Sequence, residues 1–327
     1  MSGCTETGKP RIAILMAVYE PRLDWLREQL LSLNAQTYPN LRLYVRDDGS
    51  AESVFAEITA CLQNCITAFP YEIVRNEKNL GSNKTFERLT RDAQGNFFAY
   101  CDQDDVWLPQ KLEILEQAMQ RSNSLLVCSD MHIIDSDGNR MADSITKVRR
   151  HHVFLSGKGL APELLFRNFV TGCTMLVQAQ EAKAAIPFCP YMVHDQYIAL
   201  WCAARGSILS LPQPLVNYRI HGENQTGLMA GVADKASYGT VRIKQAAMRM
   251  QWLNDRFPCE DSLRQTIREA MLWTRAREQN WTHHGGTRTV WKYRHFSRFS
   301  AAAEILLKNA PDRLFMEAIR LAQKNCI

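Results

Sequence analysis

No stretch of this 327-residue chain approaches the roughly 20 consecutive apolar residues of a membrane-spanning helix. Met1 to Lys9 is polar and lacks the apolar centre of a secretory signal, so the sequence predicts a cytosolic protein. Paired cysteines are missing too. Cys61 and Cys65 have no second ligand pair, which argues against zinc. Cys101, Cys128, Cys173 and Cys202 lie in apolar runs and read as small core residues of a reducing compartment. Glycine is absent where phosphate-binding folds need it. After the first apolar run the chain reads Ala17-Val18-Tyr19-Glu20-Pro21, neither the phosphate loop of a nucleotidyltransferase nor the G-x-G-x-x-G of a dehydrogenase. There is no internal repeat and no low-complexity tract.

What is present is an ordinary globular composition, 46% hydrophobic and 22% charged, which excludes disorder and fibres. The length suffices for one large core or two modest ones. The net charge of +5 is uneven: residues 228–327 hold 17 Lys+Arg against 9 Asp+Glu, and the remainder 22 against 25. A neutral-to-acidic front joined to a basic back implies two roles.

The front alternates between two periods. Arg11 to Val18, Leu41 to Val45, Tyr71 to Val74 and Asn96 to Cys101 have the length and composition of strands. Between them Leu23 to Gln36, Ser53 to Leu62 and Leu80 to Asp92 read as helices. This alternation predicts an α/β fold with parallel strands, and such sheets bind ligands beyond the carboxyl ends of the strands. Further on, Pro109 to Gln120 reads as a helix, Leu125 to Cys128 and Met131 to Ile134 as two strands, and Ala142 to Gly159 as a mobile loop. Met175 to Val177 reads as a strand, Gln196 to Ala204 as a helix and Ile208 to Ile220 as extended chain. Beyond Gly231 the pattern turns helical, over Ser237 to Trp252, Asp261 to Glu278, Ala301 to Asn309 and Asp312 to Gln323.

The acidic clusters fall at predicted strand ends. Asp102-x-Asp104 follows the buried run Asn96 to Cys101, and two such carboxylates can hold a hard cation, Mn²⁺ or Mg²⁺. The alternative is a solvated acidic turn. Asp47 and Asp48 follow the second strand, where a carboxylate can accept a pyrimidine imide N–H or ribose hydroxyls, or simply cap a helix. Asp195 precedes an apolar helix, as an N-cap or as a general base facing an acceptor hydroxyl. Arg219 can bind a diphosphate, and His221, on the same face of an extended segment, can add a nitrogen ligand to a metal.

Seven segments, in order, resemble the family 2 glycosyltransferases of the GT-A fold: IAILMAVYEP (Ile12 to Pro21), VRDDGS (Val45 to Ser50), NEKNLGSNKTFE (Asn76 to Glu87), YCDQDDVWLPQKLE (Tyr100 to Glu113), NFVTGCTMLV (Asn168 to Val177), HDQYIAL (His194 to Leu200) and YRIHGENQTG (Tyr218 to Gly227). The phrases CDQDDVWLPQKLE and YRIHGENQTG narrow the likeness to bacterial rhamnosyltransferase-type enzymes of surface-polysaccharide synthesis. The resemblance implies a GT-A catalytic domain over 9–227, a mostly parallel sheet flanked by helices, and a basic helical extension over 228–327. It implies inverting transfer from a nucleotide-diphosphate sugar, dTDP-rhamnose or a UDP-hexose, to a saccharide or lipid-linked saccharide. Ala17, Tyr19, Glu20, Asp47, Asp48, Asn79, Lys84, Asp102, Gln103, Asp104 and Arg219 would contact the donor. Asp102, Asp104 and His221 would hold Mn²⁺ or Mg²⁺. Trp107, Thr171, Gly172 and His194 would contact the acceptor, and Asp195 would be the base. Where the family usually carries Glu-Asp before the acceptor helix, this chain has His194-Asp195. It also lacks the Q-x-x-R-W of processive synthases, which implies addition of a single sugar. The rival readings are a sugar-nucleotide nucleotidyltransferase, disfavoured by the missing phosphate loop, and a non-catalytic carbohydrate-binding relative, disfavoured by the intact aspartates.

From Trp281 to Phe299, Trp291, Tyr293, Phe296 and Phe299 interleave with Arg288, Lys292, Arg294 and Arg298. That composition suits the anionic inner face of a membrane, or a helical subdomain whose cations are merely solvated. No nucleic-acid partner is expected.

Overall fold

The computed structural model describes residues 8–149, 152–221 and 231–324. The elements run β1 (Ile12–Val18), α1 (Leu23–Asn34), β2 (Leu41–Asp47), α2 (Glu52–Cys65), β3 (Tyr71–Arg75), α3 (Ser82–Asp92), β4 (Phe97–Cys101), β5 (Val106–Trp107) and α4 (Lys111–Ser122). They continue through β6 (Leu126–Ile134), β7 (Arg140–Ala142), the short helices α5 (Ile145–Val148) and α6 (Ala161–Leu164), β8 (Met175–Gln178), α7 (Ala179–Ala184), α8 (His194–Ala203) and β9 (Ile208–Arg219). The helical end comprises α9 (Lys235–Tyr238), a π-helical turn (Gly239–Lys244), α10 (Gln245–Arg256), α11 (Asp261–Trp281), α12 (Thr287–Lys292), α13 (Arg298–Leu307) and α14 (Asp312–Lys324).

One sheet runs β3-β2-β1-β4-β8-β6-β9-β5, with β7 on β6. Alternate side chains of β1 face two cores. Ile12, Ile14, Met16 and Val18 pack with Leu26 and Leu30 of α1, Ile58 and Leu62 of α2, and Leu112 and Leu115 of α4. Ala13 and Leu15 belong to the opposite core, with Phe86 of α3, Ile198 of α8, Met250 of α10 and Ile267 of α11. The basic helical region therefore shares a core with one face of the sheet. The expected boundary at 227/228 and the 222–227 end of the last motif lie outside the described residues.

The α/β fold is as expected, and the sheet is mixed, with its longest ladders parallel. β3, β2, β1 and β4 are parallel to one another, as are β6 and β9, while β8 is antiparallel to both β4 and β6. β5 and β7 are antiparallel edge pairings too short to register as periodicity. The reversal of β8 has a consequence for chemistry: it starts at the edge where β1, β2 and β4 end, and so delivers Thr171 to Thr174 there.

Three further expectations change. The segments around Leu125 to Ile134 are one strand, β6, whose register against β9 slips at Ser129–Asp130 and again before His132. Pro212 and Pro214 are accommodated at that irregularity, so β9 is continuous. The stretch expected as a mobile loop holds α5, capped by the Ser144 hydroxyl, and Gly157 bridges to Ile208; Arg150 and His151 lie outside the described residues.

In the helical region, Arg277 of α11 donates two hydrogen bonds to Glu304 of α13, at 2.8 and 2.5 Å, and the Tyr238 hydroxyl donates a third at 2.9 Å. Both charged side chains are buried. Removing one member leaves an uncompensated charge, so Glu304→Ala is expected to lower stability by about 3–5 kcal/mol in urea titration. A loss below about 1 kcal/mol, typical of an exposed pair, contradicts that assignment.

Candidate active site

β1, β2, β4 and, through β6, β9 all point their carboxyl ends the same way. Tyr19-Glu20, Asp48-Gly49-Ser50, Asp102 to Asp105 and His221 consequently emerge along one edge. A hollow of about 450 Å³ lined by Gly95, Asn96, Phe97, Gln178 and Ala179 lies at the opposite edge, away from every acidic loop.

The loop after β2 is organised by its own aspartates. Asp47 Oδ2 accepts the N–H groups of Gly49 and Ser50, at 3.2 and 3.0 Å, and Oδ1 accepts the Ser50 hydroxyl. Gly49 has φ +84°, and a Cβ there would meet Lys78 backbone at 2.7 Å, so this turn requires glycine. Asp47 is wholly buried, which corrects its expected role at the donor: its carboxylate is consumed by the turn. Asp48 accepts from the Asn76 side chain at 2.8 Å and from the N–H groups of Leu80 and Gly81 at 2.9 and 2.8 Å. It thereby folds the loop carrying Asn79 back over β2; Lys84 follows in the first turn of α3, paired with Glu87. Glu20 caps the start of α2 through the Ala51 N–H. Gln103 exchanges two hydrogen bonds with the Tyr19 backbone, tying the loops after β1 and β4 together and leaving the Tyr19 ring half exposed. Ala17, partly buried, is near the end of β1.

Asp104 Oδ2 lies 2.7 Å from His221 Nε2. Burial, then the charges of Asp104 and Asp195, raise the Asp102 carboxyl above its usual range, so the three aspartates share one electrostatic environment. Carboxylates and an imidazole are ligand types that Mn²⁺ and Mg²⁺ accept, but the ligand atoms of Asp102, Asp104 and His221 do not gather within 4.8 Å of one another as those of Asp102, Asp105 and Cys173 do.

Arg219, expected on the diphosphate, is instead a buried brace. Its guanidinium donates to the carbonyls of Asp104, Asp135 and Ser136 and to Glu28, and its N–H donates to Asp105 Oδ1 at 3.1 Å. The geometry thus turns its charge toward fixing the acidic loop. Trp107, expected at the acceptor, is also corrected: pairing of β5 with β9 turns its indole into the core. His194 likewise packs inward, stacked on Phe86 at 4.0 Å, and burial pushes its imidazole down to about 3, so it is neutral.

Asp195, in the first turn of α8, is held by three donors: Asn168 Nδ2 at 3.1 Å, the Gly172 N–H at 3.0 Å and its neighbour Gln196 N–H at 2.5 Å. A carboxylate has about four acceptor positions, so one stays open. Burial outweighs these hydrogen bonds and pushes its carboxyl up to about 6. A Cβ at Gly172 would lie 2.9 Å from His194 Nε2, so any larger residue there displaces the stacked imidazole. Thr171 precedes it, partly exposed on the same segment.

The motif reading missed Lys111, Asn168 and Asp105 as supports. Lys111 is fully buried, donates to the Cys173 carbonyl at 2.6 Å and lies 2.8 Å from the Trp107 ring centroid; burial lowers its ammonium to about 7. It joins the segment bearing Asp105 to that bearing Gly172. A buried lysine has no signature in periodicity, but all three lie inside the quoted motifs. Asp102, Asp105 and Cys173 cluster within 4.8 Å, with the Lys111 side chain beside them.

Residues 13–178 match the family described as Glycosyl transferase family 2. The chain belongs to that family. Similar proteins include the uncharacterized glycosyltransferase MJ1057 of Methanocaldococcus jannaschii, 27% identical over 135 residues. That match covers 41% of this chain and 46% of the relative, so the chain spans about half that protein's length. Another is the UDP-Glc:alpha-D-GlcNAc-diphosphoundecaprenol beta-1,3-glucosyltransferase WfgD of Escherichia coli, 24% identical over 58% of this chain and 68% of that one. Among solved structures, S. aureus TarS 1-349 with UDP-GlcNAc superposes with TM-score 0.58 at 14% identity, over 97% of this chain and 89% of TarS. The mannosyltransferase PcManGT of Pyrobaculum calidifontis, with GDP-Man and Mn²⁺, gives 0.57 at 13% identity, over 98% and 85%. These two likenesses establish the GT-A fold.

Were Asp195 the general base, a carboxyl raised to about 6 would fix the sign of the pH dependence. In that role it would act only when ionised, and kcat/KM is expected to fall about tenfold per pH unit below about 6. Asn168→Ala removes a donor that favours the ionised form, so the acid limb moves to higher pH. A pH–rate profile whose acid limb does not move in that variant contradicts the assignment.

Proposed function

We propose that this chain transfers one sugar, with inversion, from a nucleotide-diphosphate donor to a hydroxyl of a saccharide or lipid-linked saccharide during bacterial surface-polysaccharide synthesis. The observation that carries the reading is Asp195: a base with one open acceptor position, in the same electrostatic environment as Asp102 and Asp104. Family membership supports the reaction class, and the UDP-GlcNAc and GDP-Man bound to the two neighbours support a nucleotide sugar as donor. The lipid-linked acceptor named for WfgD supports that acceptor class.

In this reading Tyr19, Asp48 and Asn79 bind the nucleoside, and Asp102, Asp104 and His221 hold Mn²⁺ or Mg²⁺. A cation held by these residues would neutralise charge on the departing diphosphate. Asn168 and Gly172 hold Asp195 so that its open lone pair faces the acceptor hydroxyl. Asp195 takes that proton as the oxygen attacks the anomeric carbon opposite the leaving group, which inverts the configuration. Thr171, beside Gly172, contacts the acceptor. Donors are dTDP-rhamnose or a UDP-hexose, because thymine and uracil offer the same imide edge to Asp48. The work is carried out at the inner membrane face from the cytoplasmic side.

The test is product analysis by NMR after incubation with dTDP-rhamnose, UDP-glucose, UDP-galactose or a UDP-N-acetylhexosamine, Mn²⁺ and a diphospholipid-linked saccharide. The expected product has the anomeric configuration opposite to the donor. Retention of configuration overturns the role of Asp195.

A further inference from the structure

α12, the turn Arg294–Phe296 and α13 have an outward surface that the catalytic reading does not use. On α13, Ala301 and Glu304 face the core, whereas Phe299 is 73% and Leu306 75% exposed. Phe299 and Leu306 are seven residues apart, two helical turns, so both project from one outward face. On α12 Val290 is buried, and its neighbour Trp291 is 52% exposed with the Arg294 guanidinium 4.7 Å from its ring. Arg288, Lys292, Arg294 and Arg298 are all exposed. The one acid between Thr287 and Lys308 is Glu304, buried and neutralised by Arg277. α14 repeats the pattern, with Leu314 and Leu321 exposed seven residues apart and Phe315 and Ile319 inward, although it also exposes Glu317.

A scattered exposed leucine needs no explanation. Here an indole, a phenyl ring and a leucine stand out among cations with no exposed acid on α12 or α13. We propose that the α12–α13 face docks on an anionic lipid bilayer. Phe299 and Leu306 enter the acyl boundary, Trp291 sits at headgroup level, and Arg288, Lys292, Arg294 and Arg298 meet lipid phosphates. The complementarity is of two kinds, cation to phosphate and aliphatic side chain to acyl chain. Nucleic acid satisfies the first and could stack on Trp291, but it offers nothing to Leu306. This inference is independent of the transferase reading, since docking needs neither donor nor acceptor.

The test is vesicle co-sedimentation of the full chain, without nucleotide or acceptor. It compares vesicles containing phosphatidylglycerol with pure phosphatidylcholine, at low and high salt. The expected result is binding to the anionic vesicles at least about tenfold tighter than to the neutral ones, weakened by salt. Phe299→Asp with Leu306→Asp should lose that binding about tenfold or more, with unchanged far-UV circular dichroism and unchanged melting, because both side chains are exposed. Arg294→Gln with Arg298→Gln should weaken it and reduce the salt dependence. Absence of vesicle binding by the parent chain overturns the proposal, as does binding that survives both double variants. Equal or tighter binding to single-stranded RNA assigns the face to nucleic acid, and self-association abolished by Phe299→Asp with Leu306→Asp assigns it to a second copy; either result also overturns it.

Discussion

Asp195→Asn is expected to lower kcat by about 10²- to 10⁴-fold, the range of a positioned general base, while nucleotide affinity stays unchanged. The amide is nearly isosteric and can still accept from the Gly172 N–H, but it cannot take a proton. Its NH₂ group would also meet the Asn168 Nδ2 donor, 3.1 Å from the present carboxylate, so a modest local repacking accompanies the substitution. Steady-state kinetics with saturating donor, beside nucleotide binding measured separately, distinguish a lost base from a lost site. Normal turnover in Asp195→Asn places the base elsewhere. A parallel fall in nucleotide affinity means that the residue supports the donor pocket.

The second large effect concerns the metal. A partner that only orients a metal ligand typically costs about 10- to 100-fold in metal affinity when removed. Asp104→Ala deletes a proposed ligand outright and is expected to exceed that range, abolishing the Mn²⁺-dependent part of nucleotide binding. His221→Ala removes the third proposed ligand, 2.7 Å from Asp104, and is likewise expected to weaken Mn²⁺ binding by at least that range. Manganese titration followed by electron paramagnetic resonance reads both variants directly. If Asp104→Ala binds Mn²⁺ like the parent chain, the cation is not held by this loop.

Much of this site was legible because it lies at strand ends, where an apolar run stops at a carboxylate. The runs before Asp47 and Asp102 are β2 and β4, and their parallel pairing with β1 brings both loops to one edge. What periodicity could not give was direction. β8 is an apolar run like its neighbours, and nothing in Met175 to Val177 announces that it is antiparallel. That reversal is what brings Gly172 to Asp195.

Reading residue types also overstated the number of side chains that face a ligand. Arg219 and Trp107 have the chemistry of binding residues, yet Arg219 is spent on carbonyls and Glu28, and Trp107 on the core. Their burial depends on partners distant in sequence, Glu28 lying 191 residues from Arg219. Conversely, nothing in the helix read over Pro109 to Gln120 marks Lys111 out, and only the fold shows it buried against the Cys173 carbonyl.

The central claim is a metal-dependent nucleotide-diphosphate site built by Asp48, Asp102 and Asp104 at the carboxyl edge of the sheet. Calorimetric titration with uridine, thymidine and guanosine diphosphates, each with and without Mn²⁺, tests it most directly. The account predicts binding of the uridine or thymidine diphosphate that requires Mn²⁺ and disappears in Asp104→Ala. Binding of neither, or binding indifferent to Mn²⁺ and to Asp104→Ala, would contradict it.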